Sequence, residues 1–420
     1  MLLYKTYDYM KNSLLFICTL FFLVVGNQFA SSAQTPIVDI DFAHIYQPNA
    51  PYNLDCELAT NEEDYKLFLR FNINAQGQLL SNFQIFYGFK DSYTSSEIPE
   101  YKQIDFEDAK ITGERNTHYL SIDFKNPEKK SILLLRVIQT QGQREFFHVI
   151  KLRSNEGPLH TSILPFEKDR EVPLFRNYVN GEEEFRIRHL FGSKEDISFI
   201  HYPETFLAAE PPLVIQSTRE SPELNADSTF VMREGEALSL AGEGFYFIQT
   251  DVDSNEGISL VLTDRFFPRA ALIDDVIEPF VYLSSSAEFE QLSTSENSKN
   301  ALDDHLVKIS RSQDRSKTIV RDYFRNVARA NELFTTYKYG WKTDKGLIYT
   351  IYGNPNEVML IDNSEEWIYL NRAGIPRLRF TFTRIENIFS PKHYVLLRDR
   401  NYAEFWFRTV DSWRTGRQGQ

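Results

Sequence analysis

The segment Tyr65-Lys66-Leu67-Phe68-Leu69-Arg70-Phe71 carries an apolar side chain at every second position, starting from its first residue. These positions are Tyr65, Leu67, Leu69 and Phe71. Successive side chains of a β-strand point to opposite faces, so this period of two predicts a half-buried strand of an antiparallel sheet. An aromatic content of 14% also favours strands.

Similar short runs surround this segment and predict a first β-domain over residues 34–155. The runs are 37–42, 82–89, 118–124, 132–139 and 145–152. The turn signals Gln76-Gly77-Gln78 and Gln141-Gly142-Gln143 stand between neighbouring runs at hairpin spacing. We therefore expect an antiparallel β-sandwich of immunoglobulin-like kind.

A second sandwich is predicted over residues 156–296. The cluster Ser154-Asn155-Glu156-Gly157-Pro158 breaks the pattern and marks the expected boundary between the two domains. Strand-like runs then resume at 184–190, 197–201, 229–233, 244–250 and 258–263. The connections between these runs are longer than in the first domain.

The pattern changes at residue 297, where a third domain, 297–420, is expected. Apolar residues at steps of three and four predict amphipathic helices near 302–309 and 320–334. Strands are predicted at 347–352, 357–361, 365–370 and 377–382, followed by a last helix at 401–414. The fold class is therefore mainly β: two tandem antiparallel sandwiches and a C-terminal α+β domain.

Length, charge and cysteine content exclude several classes. The chain has 420 residues, a formal net charge of −13 and two cysteines. Such an acidic balance disfavours a nucleic-acid binder, which must neutralise phosphates. Two cysteines cannot build a disulfide scaffold or a four-thiolate zinc site.

Residues 1–33 are typical of a secretory signal peptide. Lys5 and Lys11 precede the apolar run 14–25, and Ser31-Ser32-Ala33 offers small residues at a cleavage site. The run is shorter than the ~20 residues that span a bilayer, so an uncleaved anchor is the less favoured alternative. Lipidation of Cys18 is also disfavoured, because the bulky Ile17 precedes it.

The segment Tyr339-Gly340-Trp341-Lys342-Thr343-Asp344-Lys345-Gly346 resembles the signature of the GWxTD domain family. The resemblance covers about residues 300–400, and includes 323–331 upstream and 353–357 downstream. It implies an exported protein of a Gram-negative envelope, periplasmic or envelope-associated, with no established activity. Asn356 departs from the family, which commonly has Asp there.

The motif is also understandable as a structural corner. Gly340 can adopt a positive φ angle, Trp341 can bury a large ring, and Thr343 to Gly346 suit a turn stabilised by side-chain oxygens. The family-motif residues are Gly340, Trp341, Thr343, Asp344, Gly346, Gly353, Pro355, Glu357, Trp367 and Tyr369. A ligand or partner contact at this corner is the alternative.

Other candidate sites fail on spacing. In the loop 251–257, glycine stands at position seven of a possible calcium loop, where an EF-hand has it at position six, so an acidic hairpin loop is expected. Asp303-Asp304-His305 is predicted to be a solvated helix face, because no second histidine follows at the spacing of a metal site. Glu365 and Glu366 are neighbours on a predicted strand and point to opposite faces. We therefore expect no metal, cofactor or catalytic residue.

These observations predict a non-enzymatic envelope protein that acts as a protein-interaction or structural module. The alternative is a hydrolase or binding module for cell-wall or polysaccharide substrates, with Asp344 and Glu365 or Glu366 as candidate acids. We expect an envelope protein partner, docked through C-terminal arginines, or self-docking onto the acidic sandwiches. These arginines are Arg372, Arg377, Arg379, Arg384, Arg398, Arg400, Arg408, Arg414 and Arg417.

Overall fold

A computed structural model describes residues 35–417, except 62, 75, 127, 154–158, 193–195, 217–222 and 373–374. The predicted signal peptide, and the breaker cluster at the first domain boundary, lie outside these described residues. The fold is mainly β, with several antiparallel sheets and, among the described residues, seven α-helices.

The first unit, residues 52–151, consists of two four-stranded antiparallel sheets. Its elements are β1 (Tyr52–Asn61), β2 (Asp64–Ile73), β3 (Phe83–Lys90), β4 (Lys102–Gln103), α1 (Phe106–Ala109), β5 (Lys110–Gly113), β6 (Thr117–Lys125), β7 (Ile132–Gln139) and β8 (Arg144–Lys151). The sheet orders are β1-β2-β6-β5 and β4-β3-β7-β8. Alternate residues of β2 and β7 contribute to one shared core, as the period of two in 65–71 predicts.

The second unit, residues 163–263, also has two sheets around one core. Its strands are β9 (Ile163–Glu167), β10 (Tyr178–Asn180), β11 (Phe185–His189), β12 (Asp196–Tyr202), β13 (Ser228–Arg233), β14 (Ala237–Leu238), β15 (Phe245–Gln249) and β16 (Ile258–Thr263). The sheet orders are β10-β16-β15-β12-β13 and β14-β11-β9. The prediction of a purely antiparallel unit is wrong here, because β10 pairs with β16 in parallel.

The C-terminal unit, residues 273–417, packs helices against a four-stranded antiparallel sheet. The helices are α2 (Ile273–Ile277), α3 (Ser286–Ser293), α4 (Ser298–Ser310), α5 (Gln313–Phe334), α6 (Asp344–Tyr352) and α7 (Ala403–Arg414). The strands are β17 (Glu357–Ile361), β18 (Ser364–Arg372), β19 (Ile375–Arg384) and β20 (Tyr394–Leu396), in that order across the sheet. Trp341, Trp367 and Phe380 lie in its core, as predicted.

Some strands are buried on both faces, because the three units pack against one another. In β7, Leu133 faces the core of the first unit, whereas Leu134 joins the core of the C-terminal unit. In β15, Ile248 faces the core of the second unit and Phe247 faces the C-terminal unit. A fully buried strand has an almost continuous apolar sequence, as these two strands do.

Residues 347–352 form a helix, so the prediction of a strand there is wrong. The run Leu347-Ile348-Tyr349-Thr350-Ile351-Tyr352 is rich in strand-favouring residues, but all of α6 is buried, and a short apolar run fits a buried strand and a buried helix equally well. The Thr343 side chain caps this helix, accepting a hydrogen bond from Gly346 N at 3.0 Å. Capping and burial on every side override the β propensity.

Two further predictions about the first domain are wrong. The run 37–42 is not a strand: Ile37–Asp39 and Ala43–Ile45 are 3-10 turns. This N-terminal segment, 37–46, packs into the core of the C-terminal unit, where Phe42 N donates to Val358 O at 2.8 Å. The signal Gln76-Gly77-Gln78 joins strands of different sheets, whereas Gln141-Gly142-Gln143 closes the predicted β7–β8 hairpin.

No helix within the described residues combines the length and the apolar character needed to cross a membrane.

Candidate functional site

The two glycines of the signature let three backbone segments touch. A Cβ atom on Gly340 would lie 2.1 Å from Ala330 O of α5, and one on Gly346 would lie 1.8 Å from Gly340 O. Neither distance is possible for real atoms, so any larger residue would push α5 and α6 away from the turn between them. Close approach of backbones therefore explains both glycines.

The predicted reason for Gly340 is wrong. Its φ angle is not positive, since the positive-φ glycines among the described residues include Gly353 but not Gly340. Gly353 has φ +73° and ends α6, and its N–H donates to Tyr349 O at 2.8 Å. The family-motif glycine with a positive φ angle is therefore Gly353, at the end of α6, rather than Gly340 before that helix.

Trp341 and Thr343 hold the corner together, as the structural interpretation predicts. Trp341 is 4% exposed and its N–H donates to Asn331 Oδ1 of α5 at 3.1 Å. The Thr343 hydroxyl donates to Gly340 O at 2.7 Å while also capping α6. Asn331 was not singled out from the sequence, although it belongs to the upstream segment of the resemblance.

Asp344 forms a buried ion pair with an arginine from beyond β20. Its Oδ1 accepts from Arg398 Nη2 at 2.5 Å, and its Oδ2 accepts from Leu396 N at 2.9 Å. Arg398 also donates to the backbone oxygen of Glu210, so this contact ties the second unit to the corner. The expectation that Asp344 bonds to nearby backbone groups is wrong, because both partners lie more than 50 residues away in sequence.

The remaining motif residues continue along α6 and into the sheet. Pro355 is buried in the turn after α6, and Glu357 accepts from Arg377 at 3.1 Å on the sheet surface. Trp367 and Tyr369 are fully buried on one face of β18, and the Tyr369 hydroxyl donates to Gly353 O at 2.8 Å. They are core residues, as predicted, and do not form an exposed stacking platform.

A second buried ion pair lies beside Trp367. Lys345 Nζ is 2.7 Å from Glu365 Oε2, while Glu365 Oε1 accepts from Trp367 Nε1 at 2.6 Å and from the Tyr46 hydroxyl at 2.5 Å. The ammonium of Lys345 also lies 3.4 Å from the centre of the Tyr394 ring. Three aromatic side chains therefore contact these two charges in the interior.

Burial sets the titration of this cluster. It lowers the pKa of Lys345, and the neighbouring Glu365 opposes the shift. Burial also raises the pKa of Tyr46 well above its usual value, an effect that the Glu365 charge reinforces. Tyr46 belongs to the N-terminal segment, so this hydrogen bond joins that segment to β18.

Both ion pairs line a cavity of about 950 Å³ where the three units meet. Its wall includes Glu57 from the first unit, His160 from the connection between the first two units, and Lys338 and His393 from the C-terminal unit. Burial raises the pKa of Glu57 and lowers the pKa of His160 to about 4. A pocket with perturbed titratable groups is a candidate functional site.

Of the other candidate residues, Glu365 and Gly257 line this cavity as well. The loop 251–257 joins the antiparallel strands β15 and β16, as predicted. Glu365 and Glu366 do point apart: Glu365 is buried, and Glu366 lies 3.3 Å from Arg379 on the sheet surface. Within the part of the chain that the structure describes, no group of His, Cys, Asp and Glu side chains could hold a metal ion.

His305 corrects the prediction of a solvated helix face. Asp303 and Asp304 are exposed, but His305 is 7% exposed and its Nε2 lies 3.1 Å from Ser284 Oγ. On α4, Leu302 lies about one turn before His305, and Leu306 is the next residue. This spacing alone places His305 on the apolar stripe of the helix.

A family model described as the GWxTD domain matches residues 244–415. The chain is therefore a GWxTD domain-containing protein. The match begins at β15 and so includes the last two strands of the second unit, a longer stretch than the resemblance seen in the sequence. No curated protein matches the chain.

Proposed function

We propose that this protein is an exported, non-enzymatic component of a cell envelope that acts as a protein-interaction or structural module. The proposal rests on the hydrogen bonds that Asp344 makes inside the protein. Both of its carboxylate oxygens accept hydrogen bonds from Arg398 and Leu396, which leaves the motif acid engaged in joining parts of the chain. The proposed export rests on the sequence of residues 1–33, and the proposed envelope location on the resemblance to the GWxTD domain family.

The hydrolase alternative needs an accessible acid, which neither candidate carboxylate of the interior provides. The side chains of Asp344 and Glu365 are 10% and 6% exposed, and each is paired with a cation. A general acid or base must reach the proton that it transfers. The GWxTD corner therefore favours a structural role.

We also propose that the first and second units are immunoglobulin-like sandwiches, which is the finer form of the fold prediction. The support is that each unit has two sheets around one core. Such modules commonly serve as contact surfaces.

The arginines of the C-terminal unit offer a contact surface on β19. Arg377 and Arg379 have side chains 53% and 55% exposed, and lie 3.1 Å from Glu357 of β17 and 3.3 Å from Glu366 of β18. Arg398 and Arg414, in contrast, are used inside the protein. We propose that the β19 pair contributes to docking on an acidic envelope partner.

The experiment is chemical cross-linking in intact cells that produce the protein, followed by mass spectrometry. Repeated links to one envelope protein, lost in the Arg377→Glu/Arg379→Glu variant, would support the proposal. The matched control is Arg321→Glu/Arg325→Glu, because these side chains are 71% and 69% exposed on α5. Only intramolecular links, or equal loss in both variants, would contradict a docking role for β19.

A further inference from the structure

The cavity between the three units has a size and lining suited to a small molecule. Its volume of about 950 Å³ falls within the range of roughly 300–1,000 Å³ typical of ligand pockets. Part of its wall is aromatic and centres on Tyr337. Phe206 lies edge-on to Tyr337 with 4.9 Å between ring centres, and Phe389 lies at 5.7 Å.

Three cations near this aromatic wall are paired with acids, whereas Lys338 is not. Lys345 pairs with Glu365, and Arg398 pairs with Asp344. Lys342 Nζ likewise lies 2.9 Å from a carboxylate oxygen of Glu278. Each of these contacts satisfies a positive charge that folding removes from water.

Lys338 is the exception. It is half-buried and lines the cavity beside the aromatic wall, with its Nζ 6.0 Å from the centre of the Phe206 ring. Within the described part of the chain, its ammonium has no hydrogen-bond acceptor and no ion-pair partner. Burial lowers its pKa, partly opposed by the charge of Asp344, which Arg398 already neutralises.

A lysine in this position favours an anion in the cavity. Removing an ammonium from water is costly unless an acceptor replaces the lost hydration. His393, another titratable group on the wall, adds no negative charge, and burial and Lys338 both lower its pKa. Two further cations of the cavity wall, Arg384 and Lys392, also have no side-chain hydrogen bond among the described residues.

Glu57 is an acid on the cavity wall whose negative charge opposes these positive charges. It lines the same cavity, and Lys392 is the cation that most lowers its pKa against the effect of burial. Glu57 therefore offsets Lys392, and it is not among the charges that shift the pKa of Lys338.

We propose that this cavity binds a small organic anion with a planar, ring-bearing body. The charged group of the anion pairs with Lys338, and its ring body packs against Phe206, Tyr337 and Phe389. The site goes beyond the proposed function, because neither envelope docking nor the structural corner requires a ligand. The chemistry that it recognises is a carboxylate, phosphate or sulfonate group attached to an aromatic or similarly flat molecule.

The first test uses 8-anilinonaphthalene-1-sulfonate, a flat aromatic anion that fluoresces in apolar surroundings. The whole mature chain is titrated in parent form and as Lys338→Met and Lys338→Arg. We expect the dissociation constant to rise at least tenfold in Lys338→Met and to change less than threefold in Lys338→Arg. The control is Lys317→Met, since the Lys317 side chain is 81% exposed on α5.

A neutral probe separates charge from packing. The uncharged 1-anilinonaphthalene has the same ring body, and its affinity should be equal in the parent and in Lys338→Met. If both probes lose affinity equally, or if the sulfonate binds the parent and Lys338→Met alike, the proposed role of Lys338 is wrong.

The second test needs no variant, and so does not depend on how a substitution folds. The parent protein is trace-labelled with acetic anhydride, with and without saturating sulfonate probe, and acetylation of each lysine is measured by mass spectrometry. We expect protection of Lys338 by the probe and an unchanged rate at Lys317. Equal labelling of Lys338 in both samples would overturn the proposal.

Discussion

Lys345 Nζ and Glu365 Oε2 lie 2.7 Å apart in the interior of the C-terminal unit, with side chains only 10% and 6% exposed. The pair joins the first turn of α6 to β18, and Glu365 extends the connection to the N-terminal segment through Tyr46. Removing two charges from water is expensive, so such a pair is stable only while both members and their hydrogen bonds are present.

Removing one member of this pair should therefore cost more than removing both. We expect Lys345→Met to lower the free energy of unfolding by about 3–5 kcal/mol, because it leaves the Glu365 charge buried without a cation. The double variant Lys345→Met/Glu365→Gln should recover part of that loss. Urea unfolding of the parent, the single variants Lys345→Met and Glu365→Gln, and the double variant measures the difference.

An exposed pair provides the control for this comparison. Lys168 and Glu184 have side chains 42% and 48% exposed, so Lys168→Met should change the stability far less than Lys345→Met does. If the double variant is as unstable as the sum of the two single ones, the Lys345–Glu365 contact carries no coupling energy.

Replacing Gly346 with alanine should lower the stability, although helix propensity alone predicts an increase. Gly346 lies in the first turn of α6, where alanine is intrinsically better than glycine by about 1 kcal/mol. A Cβ atom at this position would lie 1.8 Å from Gly340 O, so we expect Gly346→Ala to destabilise the protein by about 3 kcal/mol.

The matched control for Gly346 is Gly181→Ala. A Cβ atom on Gly181 would meet nothing closer than Leu240 O at 3.6 Å, an ordinary contact distance. Thermal unfolding should show a large decrease in Tm for Gly346→Ala and almost none for Gly181→Ala. A Gly346→Ala protein as stable as the parent would show that α6 can move away from the corner without cost.

Trp341→Ala tests whether the signature tryptophan is a core residue. Its side chain is 4% exposed and packs against Tyr282 with 5.8 Å between ring centres. We expect a loss of about 3–5 kcal/mol, as for other large buried aromatic residues. Phe407→Ala, at a position 60% exposed on α7, is the comparison and should alter the melting temperature little. A Trp341→Ala variant that melts within a degree or two of the parent would mean that the ring is available for binding.

Local pattern was sufficient to predict much of the secondary structure. The runs 132–139 and 357–361 match β7 and β17, because short runs rich in apolar, strand-favouring residues predict strands. The helical stripe that predicts α5 contains Tyr323 and Val327, and both are buried. In these elements, short-range sequence and long-range packing favour the same structure.

The wrong predictions concern residues whose structure is decided by packing between segments that are distant in sequence. The run 347–352 has strand-like residues, but a helix capped by Thr343 fits between α5 and the sheet. Asp344 was expected to bond locally, and its partner Arg398 lies on the far side of β20. Nothing in the sequence near Tyr46 shows that its hydroxyl reaches Glu365, so the buried pair and the cavity could not be predicted from the sequence.

The pair Glu288–Arg414 should make stability depend on pH in the acid range. Arg414 donates to both carboxylate oxygens of Glu288, at 2.8 and 3.0 Å, and ties α3 to the end of α7. These hydrogen bonds, more than any other cause, lower the pKa of Glu288 from 4.5 to about 2. Since the folded state binds the Glu288 proton more weakly than the unfolded state, the stabilisation is complete above about pH 4.5 and is lost as the pH falls towards 2.

We therefore expect Glu288→Gln to be less stable than the parent at pH 7, and the difference to shrink as the pH falls from 5 to 3. The Glu288 side chain is 16% exposed and close to solvent, so we expect a difference of about 1 kcal/mol at neutral pH. Urea unfolding at pH 7, 5, 4 and 3 measures it. Asp314→Asn is the control, because that side chain is 96% exposed and its nearest cation, Lys317, is 4.0 Å away. A difference between Glu288→Gln and the parent that stays constant from pH 7 to pH 3 would show that the carboxylate charge does not stabilise the fold.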